Sequence, residues 1–241
     1  MRNLSEAVAP QALFGGPLTG GALVRNIYTD EAGISALEPV SIVVALVVHA
    51  DTQWLPVARG LMALYDSRVP AKYRRDFAFH AKYVSAHTKY QDWPESERQE
   101  FMRVMMSIPI KSNISMAIGA KKRAATDYKD WPDKRMRPDQ IDHFLAFSLC
   151  MAEADEILRK HCGNEMGQVI AEDHHEMRRF LRESVNMLRR GPLVFPVMMS
   201  HGATGSDELQ SVEYRVERVI DEVHFMERDN APFLQIADAC A

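Results

Sequence analysis

From Val40 to Val48 the chain reads Val-Ser-Ile-Val-Val-Ala-Leu-Val-Val, apolar at nearly every position and rich in β-branched residues. No polar alternation marks an exposed side, so the run predicts a strand covered on both faces. Leu23 to Thr29 has strand character as well, and Asp30-Glu31-Ala32-Gly33 after it reads as a turn, since Gly33 can take positive φ and Asp30 can bond local backbone. Leu55, Ala58, Leu61, Met62 and Tyr65 then recur at helical spacing, with Pro70 beyond the end. A short apolar segment, Phe77 to His80, follows. Ser96 to Met106 is helical in composition, whereas Ser107 to Ala120 alternates at Ile110, Ile114, Met116 and Ile118 and suits a strand. Gln140 to Lys160 carries one apolar stripe and is the clearest helix. Gln168 to Ala171 is a brief strand ending at Glu172-Asp173; a charged helix runs on to Arg190, and Glu213 to Phe225 is strand-like. The last helix, Ala231 to Ala241, is opened by Asn230 as N-cap with Pro232 in its first turn.

Strands and helices alternate without a Pro/Ser-rich linker or an internal repeat, which predicts one α/β domain over 23–241. Ahead of it, the segment 1–22, with Gly15-Gly16 and Gly20-Gly21, reads as flexible. A net charge of −4 over 241 residues argues against a protein that wraps polyanions with its whole surface, so such a partner must meet a local patch. The longest apolar run is too short for a membrane-spanning helix of about 20 residues. Three cysteines, Cys150, Cys162 and Cys240, form no disulfide framework and suit a reducing, cytoplasmic setting.

The chemistry concentrates in acidic residues at the ends of apolar segments. Asp238 lies in Ala-Pro-Phe-Leu-Gln-Ile-Ala-Asp-Ala-Cys-Ala, a helix apolar on nearly every face, where a buried carboxylate needs a partner. That partner is either a cation or a hydrogen-bonded group such as an arginine. Asp30-Glu31 and Glu172-Asp173 each follow a strand-like run, and in open α/β sheets such strand ends line the ligand crevice. Carboxylates gathered there would repel by roughly 3 kcal/mol per pair at about 5 Å and an effective dielectric of about 20. A cluster of this kind implies a bound cation or raised pKa values. The competing reading of Asp173 is an acidic cap on the following helix.

Tyr28-Thr29-Asp30-Glu31-Ala32-Gly33, Phe79-His80-Ala81 and Phe233-Leu234-Gln235-Ile236-Ala237-Asp238 together resemble, in order and nearly from end to end, the three motifs of the domain-of-unknown-function 3800 family. Ala32 stands where that family has Ser. The resemblance implies an RNase H-like fold, a mixed sheet flanked by helices, whose acids hold divalent metal for phosphodiester chemistry. Carried over by position, it gives Asp30, Asp173 and Asp238 as ligands of Mg²⁺ or Mn²⁺, with Glu31, Glu172 and His80 beside them and His80 as proton shuttle or phosphate contact.

Between Lys121 and Arg137 basic residues outnumber acidic ones by four, with Tyr128 and Trp131 interleaved. Lys121, Lys122 and Arg123 are thus candidate contacts to nucleic acid, against the plainer reading of a solvated loop. Two functions follow: a metal-dependent, nuclease-like phosphodiester hydrolase, or a catalytically silent module that binds nucleic acid or protein on the same fold. Open positions among the carboxylates favour the first; an arginine or lysine filling the cluster favours the second.

Overall fold

The computed structural model describes residues 24–33, 38–86, 89–123, 128–129, 131, 134, 136–175, 177–191, 193–201 and 206–241. The segment 1–22 and much of 124–135 lie outside the described residues. Strands β1 (Val24–Ala32), β2 (Val40–His49), β3 (Ser115–Lys122), β4 (Met166–Glu172) and β7 (Val219–Met226) form a five-stranded sheet in the order β3-β2-β1-β4-β7. β2 is antiparallel to both β1 and β3, while β4 is parallel to β1 and β7 is parallel to β4. This mixed order, a three-stranded meander extended by two parallel strands, is the RNase H-like fold. Strands β5 (Leu193–His201) and β6 (Ser206–Tyr214) make a separate antiparallel pair inserted before β7.

Helices cover both faces of the sheet, as the unbroken apolar run of β2 requires. On one face α5 (Pro138–His161) and α6 (Arg178–Arg190) bury Ile27, Val43, Ala45, Val47, Val169 and Ala171. On the other, α1 (Leu55–Arg68), α4 (Glu95–Lys111) and α7 (Pro232–Cys240) bury Tyr28, Leu46, Val48 and Ile170. Two short helices, α2 (Ala71–Arg74) and α3 (Ala81–Ser85), connect α1 to α4. Tyr28 stacks on Phe233 at 5.0 Å between ring centres and so locks α7 across β1. The pleat therefore assigns every residue of β1 and β4 to one of two packed layers.

Several expectations shift. β1 runs through Asp30, Glu31 and Ala32, which pair with Val44, Val43 and Ile42, so of the four residues read as a turn only Gly33 lies outside the strand. Gly33 adopts φ +73, where a Cβ would meet the Val40 carbonyl oxygen at 1.9 Å. The extra strand length matters, because it places Asp30 in a buried ladder instead of a solvated bend. The strand read over Ser107 to Ala120 begins only at Ser115, because α4 continues through Pro109 to Lys111. Proline stands in the last turn, where the preceding hydrogen bonds already hold the helix. The run Glu213 to Phe225 is divided between β6 and β7. The N-cap of α7 is Ala231 without a side-chain cap; Asn230 ends a 3₁₀ turn, Arg228–Asn230.

α5 packs directly against the backbone of Gly119 in β3. A Cβ at this position would sit 1.9 Å from the Ala146 carbonyl oxygen and 2.5 Å from the Cys150 nitrogen, both backbone atoms that cannot swing aside. Gly119→Val is expected to force α5 off the edge of the sheet and to destabilise the protein by about 3 kcal/mol. Urea unfolding checks this; a midpoint equal to that of the wild type would show that the helix adjusts freely.

Candidate active site

The site forms at the carboxyl ends of β1 and β4, where two parallel strands bring their last residues side by side. Pairing of Tyr28 with Ile170 and of Thr29 with Ala171 sets Asp30 level with Glu172. Tyr28 and Ile170 belong to the α7 layer, so by period two Asp30 and Glu172 point toward α7 as well. Asp30 is 2% exposed, and its Oδ2 has no hydrogen-bond partner among the described residues.

α7 supplies Asp238 to the same layer. It is 8% exposed, and its Oδ2 accepts from the Ala81 backbone N–H at 2.9 Å, from His80 Nδ1 at 3.0 Å and from Arg228 Nη1 at 3.3 Å. Arg228 stands in the turn between β7 and α7 and also donates through Nη2 to Glu172. The buried carboxylate of the last helix thus has the second of the two partners that the sequence left open, hydrogen-bonded groups that include an arginine.

Gln235, one turn before Asp238 on α7, holds these donors in place. Its Oε1 accepts from Tyr65 Oη at 2.6 Å and from the Phe79 N–H at 3.0 Å, while its Nε2 donates to the carbonyls of Arg228 at 3.0 Å and Asp229 at 3.3 Å. One buried amide with its bonding capacity filled ties the 79–81 segment and the 228–229 turn to either side of Asp238.

The electrostatics follow from this crowding. Burial pushes the Asp30 carboxyl well above the usual carboxylate range, and the charges of Glu31, Asp238 and Glu172 add to it while Arg228 opposes. Glu31 is raised to about 7 by burial and by Glu172 and Asp238, again against Arg228. For Arg228, burial works against the charge, but Asp30, Asp238 and Glu172 outweigh it and hold the guanidinium above its ordinary value. One guanidinium contacts Glu172 and Asp238 and acts on Asp30 and Glu31 through its charge, so negative charge remains in excess.

The structure brings together Asp30, Glu172, Asp238 and His80; Glu31, beside Asp30 and paired with Val43, takes the opposite phase of the pleat and is coupled to the cluster through its charge. Asp173 stands apart: one residue beyond Glu172 the pleat turns it away, its N–H bonds the Met226 carbonyl, and its carboxylate pairs with Arg178. That hydrogen-bonded pairing lowers its pKa. Lys121 and Lys122 end β3, two strands from β1 and at the same end of the sheet as Asp30. Arg123 is bound into the fold, donating to the Gly33 carbonyl and lying 3.7 Å from Asp142. Sequence reasoning missed Arg228, whose charged neighbours in the chain resemble any surface turn, and gave Gln235 no role although it lies in the closing motif.

As to fit for a cation, the available donors are hard carboxylate oxygens, and Asp30 offers one that is buried and unmatched, which suits Mg²⁺ or Mn²⁺. With Arg228 bridging Glu172 and Asp238, no group of three or more His, Cys, Asp or Glu among the described residues is disposed to hold an ion. Charge and donor type fit; the arginine stands in the way.

A scan against protein-family models matches none, and a search of curated proteins finds no match. Among solved structures, the chain is similar to the crystal structure of Bst-RNase HIII in complex with Mn²⁺, at 11% identity and a TM-score of 0.44, over 91% of this chain. It spans about half of that neighbour's length, 51%. No helix among the described residues is long and apolar enough to cross a membrane.

The shifted groups give stability a distinctive pH dependence. Glu31 titrates near 7 when folded and near 4.5 otherwise, so between those values the native state holds the extra proton and stability falls as pH rises. His143, buried in α5 and lowered to about 4 from 6.5 by burial, His174 and Arg123, acts in the opposite sense: stability is lost as pH falls from 6.5 to 4. In EDTA, Glu31→Gln should therefore gain on the wild type between pH 5 and 7.5 by about 1–2 kcal/mol, less than the full shift because Glu31 is partly exposed. Thermal unfolding across that range checks it, and a constant difference between the two proteins would remove Glu31 as the titrating group.

Proposed function

We propose that this chain is a divalent-metal-dependent phosphodiester hydrolase of the nuclease type, acting at the carboxylate cluster. The observation that carries the reading is Asp30: a nearly buried carboxylate with an unmatched oxygen, surrounded by Glu31, Glu172 and Asp238, on the strand end where α/β sheets bind ligands. The resemblance of three motifs to those of the domain-of-unknown-function 3800 family supports membership in it, and those motifs contain Asp30, Glu31, His80 and Asp238 but not Glu172.

Asp30, Glu172 and Asp238, with Glu31 at the rim, would hold Mg²⁺ or Mn²⁺. Such an ion supplies Lewis-acid stabilisation of charge on phosphate oxygens and lowers the pKa of water. His80 is oriented by Asp238, which engages Nδ1 and leaves Nε2 to give or take a proton at a reacting oxygen. Lys121 and Lys122 lie where a polyanion entering this end of the sheet would pass. A nucleic acid is therefore the substrate class that the charges favour.

Incubation of the purified protein with labelled single-stranded and duplex RNA, DNA and hybrid oligonucleotides in millimolar Mn²⁺ tests this. Cleavage is expected, with a loss of at least about 100-fold in Asp30→Asn and Asp238→Asn, since each removes charge from the site itself. Asp173→Asn should stay close to wild type because its carboxylate is engaged elsewhere. No cleavage of any substrate, or cleavage unaffected in Asp30→Asn, would sink the proposal. One observation favours the second reading, a binding module: Arg228 already bridges two of the carboxylates. In that case oligonucleotide binding would persist in EDTA without turnover.

A further inference from the structure

Arg228 does more than pair with one acid. It reaches Glu172 through Nη2 and Asp238 through Nη1, its side chain is 12% exposed, and its Nε has no partner among the described residues. A buried guanidinium with an unused donor is held there by the surrounding negative charge, since an uncompensated carboxylate cluster would repel itself. Its backbone is fixed by the Gln235 amide, whereas its side chain is bound only through ionic contacts that a second cation can replace.

We infer that Arg228 is the resident counter-ion of the cluster, occupying the charge position of a divalent cation, so that a metal ion binds only by displacing the guanidinium from Glu172 and Asp238. The inference rests on the metal-dependent reading of the site and deepens it by naming what sets its metal affinity. Three consequences follow from the charge balance. The cluster stays folded without metal because the arginine neutralises part of it. Metal affinity is lowered, since each binding event must break two ionic contacts. The displaced guanidinium, with its free Nε–H, becomes a donor for an incoming phosphate oxygen, for which planar paired donors are well suited.

Calorimetric Mn²⁺ titration of the wild type and of Arg228→Met, with melting curves in EDTA and in Mn²⁺, tests the inference without reference to activity. Removing the arginine should tighten Mn²⁺ binding at least tenfold, lower the melting temperature in EDTA, and enlarge the upward shift produced by Mn²⁺. Adding Glu172→Gln to Arg228→Met should reverse much of the gain. If the wild type binds Mn²⁺ and Arg228→Met binds it equally or more weakly, the displacement inference fails while the metal-dependent function stands. If neither folded protein binds Mn²⁺ at 10 mM, both fail. Should Arg228→Met not fold without metal, its recovery in folded form with Mn²⁺, but not with NaCl of equal ionic strength, supports the inference. Failure to recover it in either salt opposes it.

Discussion

Everything around the site depends on the convergence of three donors on one oxygen of Asp238. The backbone N–H of Ala81, the ring of His80 and the guanidinium of Arg228 come from parts of the chain far apart in sequence, and a buried carboxylate is what holds them together. Each charge-assisted bond contributes more than a neutral one, because water is excluded and the alternative is an unsatisfied ion. The last helix thereby serves as both wall and anchor. Its apolar sides fill the layer beneath β1 and β2, and its one charged residue fixes the two segments on either side of it.

The same arrangement sets a tension between stability and function. Carboxylates at the ends of adjacent parallel strands are brought to one spacing by the sheet itself, whatever their mutual repulsion, and burial raises the energy of charging them further. The fold tolerates this through a single arginine whose position is dictated by Gln235. A site built in this way retains negative charge for a ligand while remaining intact without one.

Gln235 shows how a motif residue can matter without touching a ligand. Replacing its amide would strand the Phe79 N–H and the Tyr65 hydroxyl in an apolar layer, where each unsatisfied group costs about 1–3 kcal/mol, and would release both segments beside Asp238 together. Its i, i+3 spacing from Asp238 places the two on one side of the helix, so the closing motif encodes a support and a charged group as a pair.

Much of the fold is determined locally. The apolar run of β2 fixes a two-sided sheet, the stripe of α5 fixes its helix, and the acids that follow β1 and β4 mark the strand ends where a site can form. Asp238 is recognisable from a carboxylate inside an all-apolar helix, a conflict that only a partner can resolve. What the tertiary structure alone decided is the choice between neighbours. Glu172 and not Asp173 faces α7 because the parallel register with β1 sets the phase of the pleat, and a strand alternating every residue carries no mark of which side will be covered by which helix. β5 and β6 pair with each other instead of joining the main sheet, which their composition does not announce. Arg228 enters the cluster only because the turn between β7 and α7 is held by an amide one helical turn before Asp238, a contact between segments that no local pattern connects.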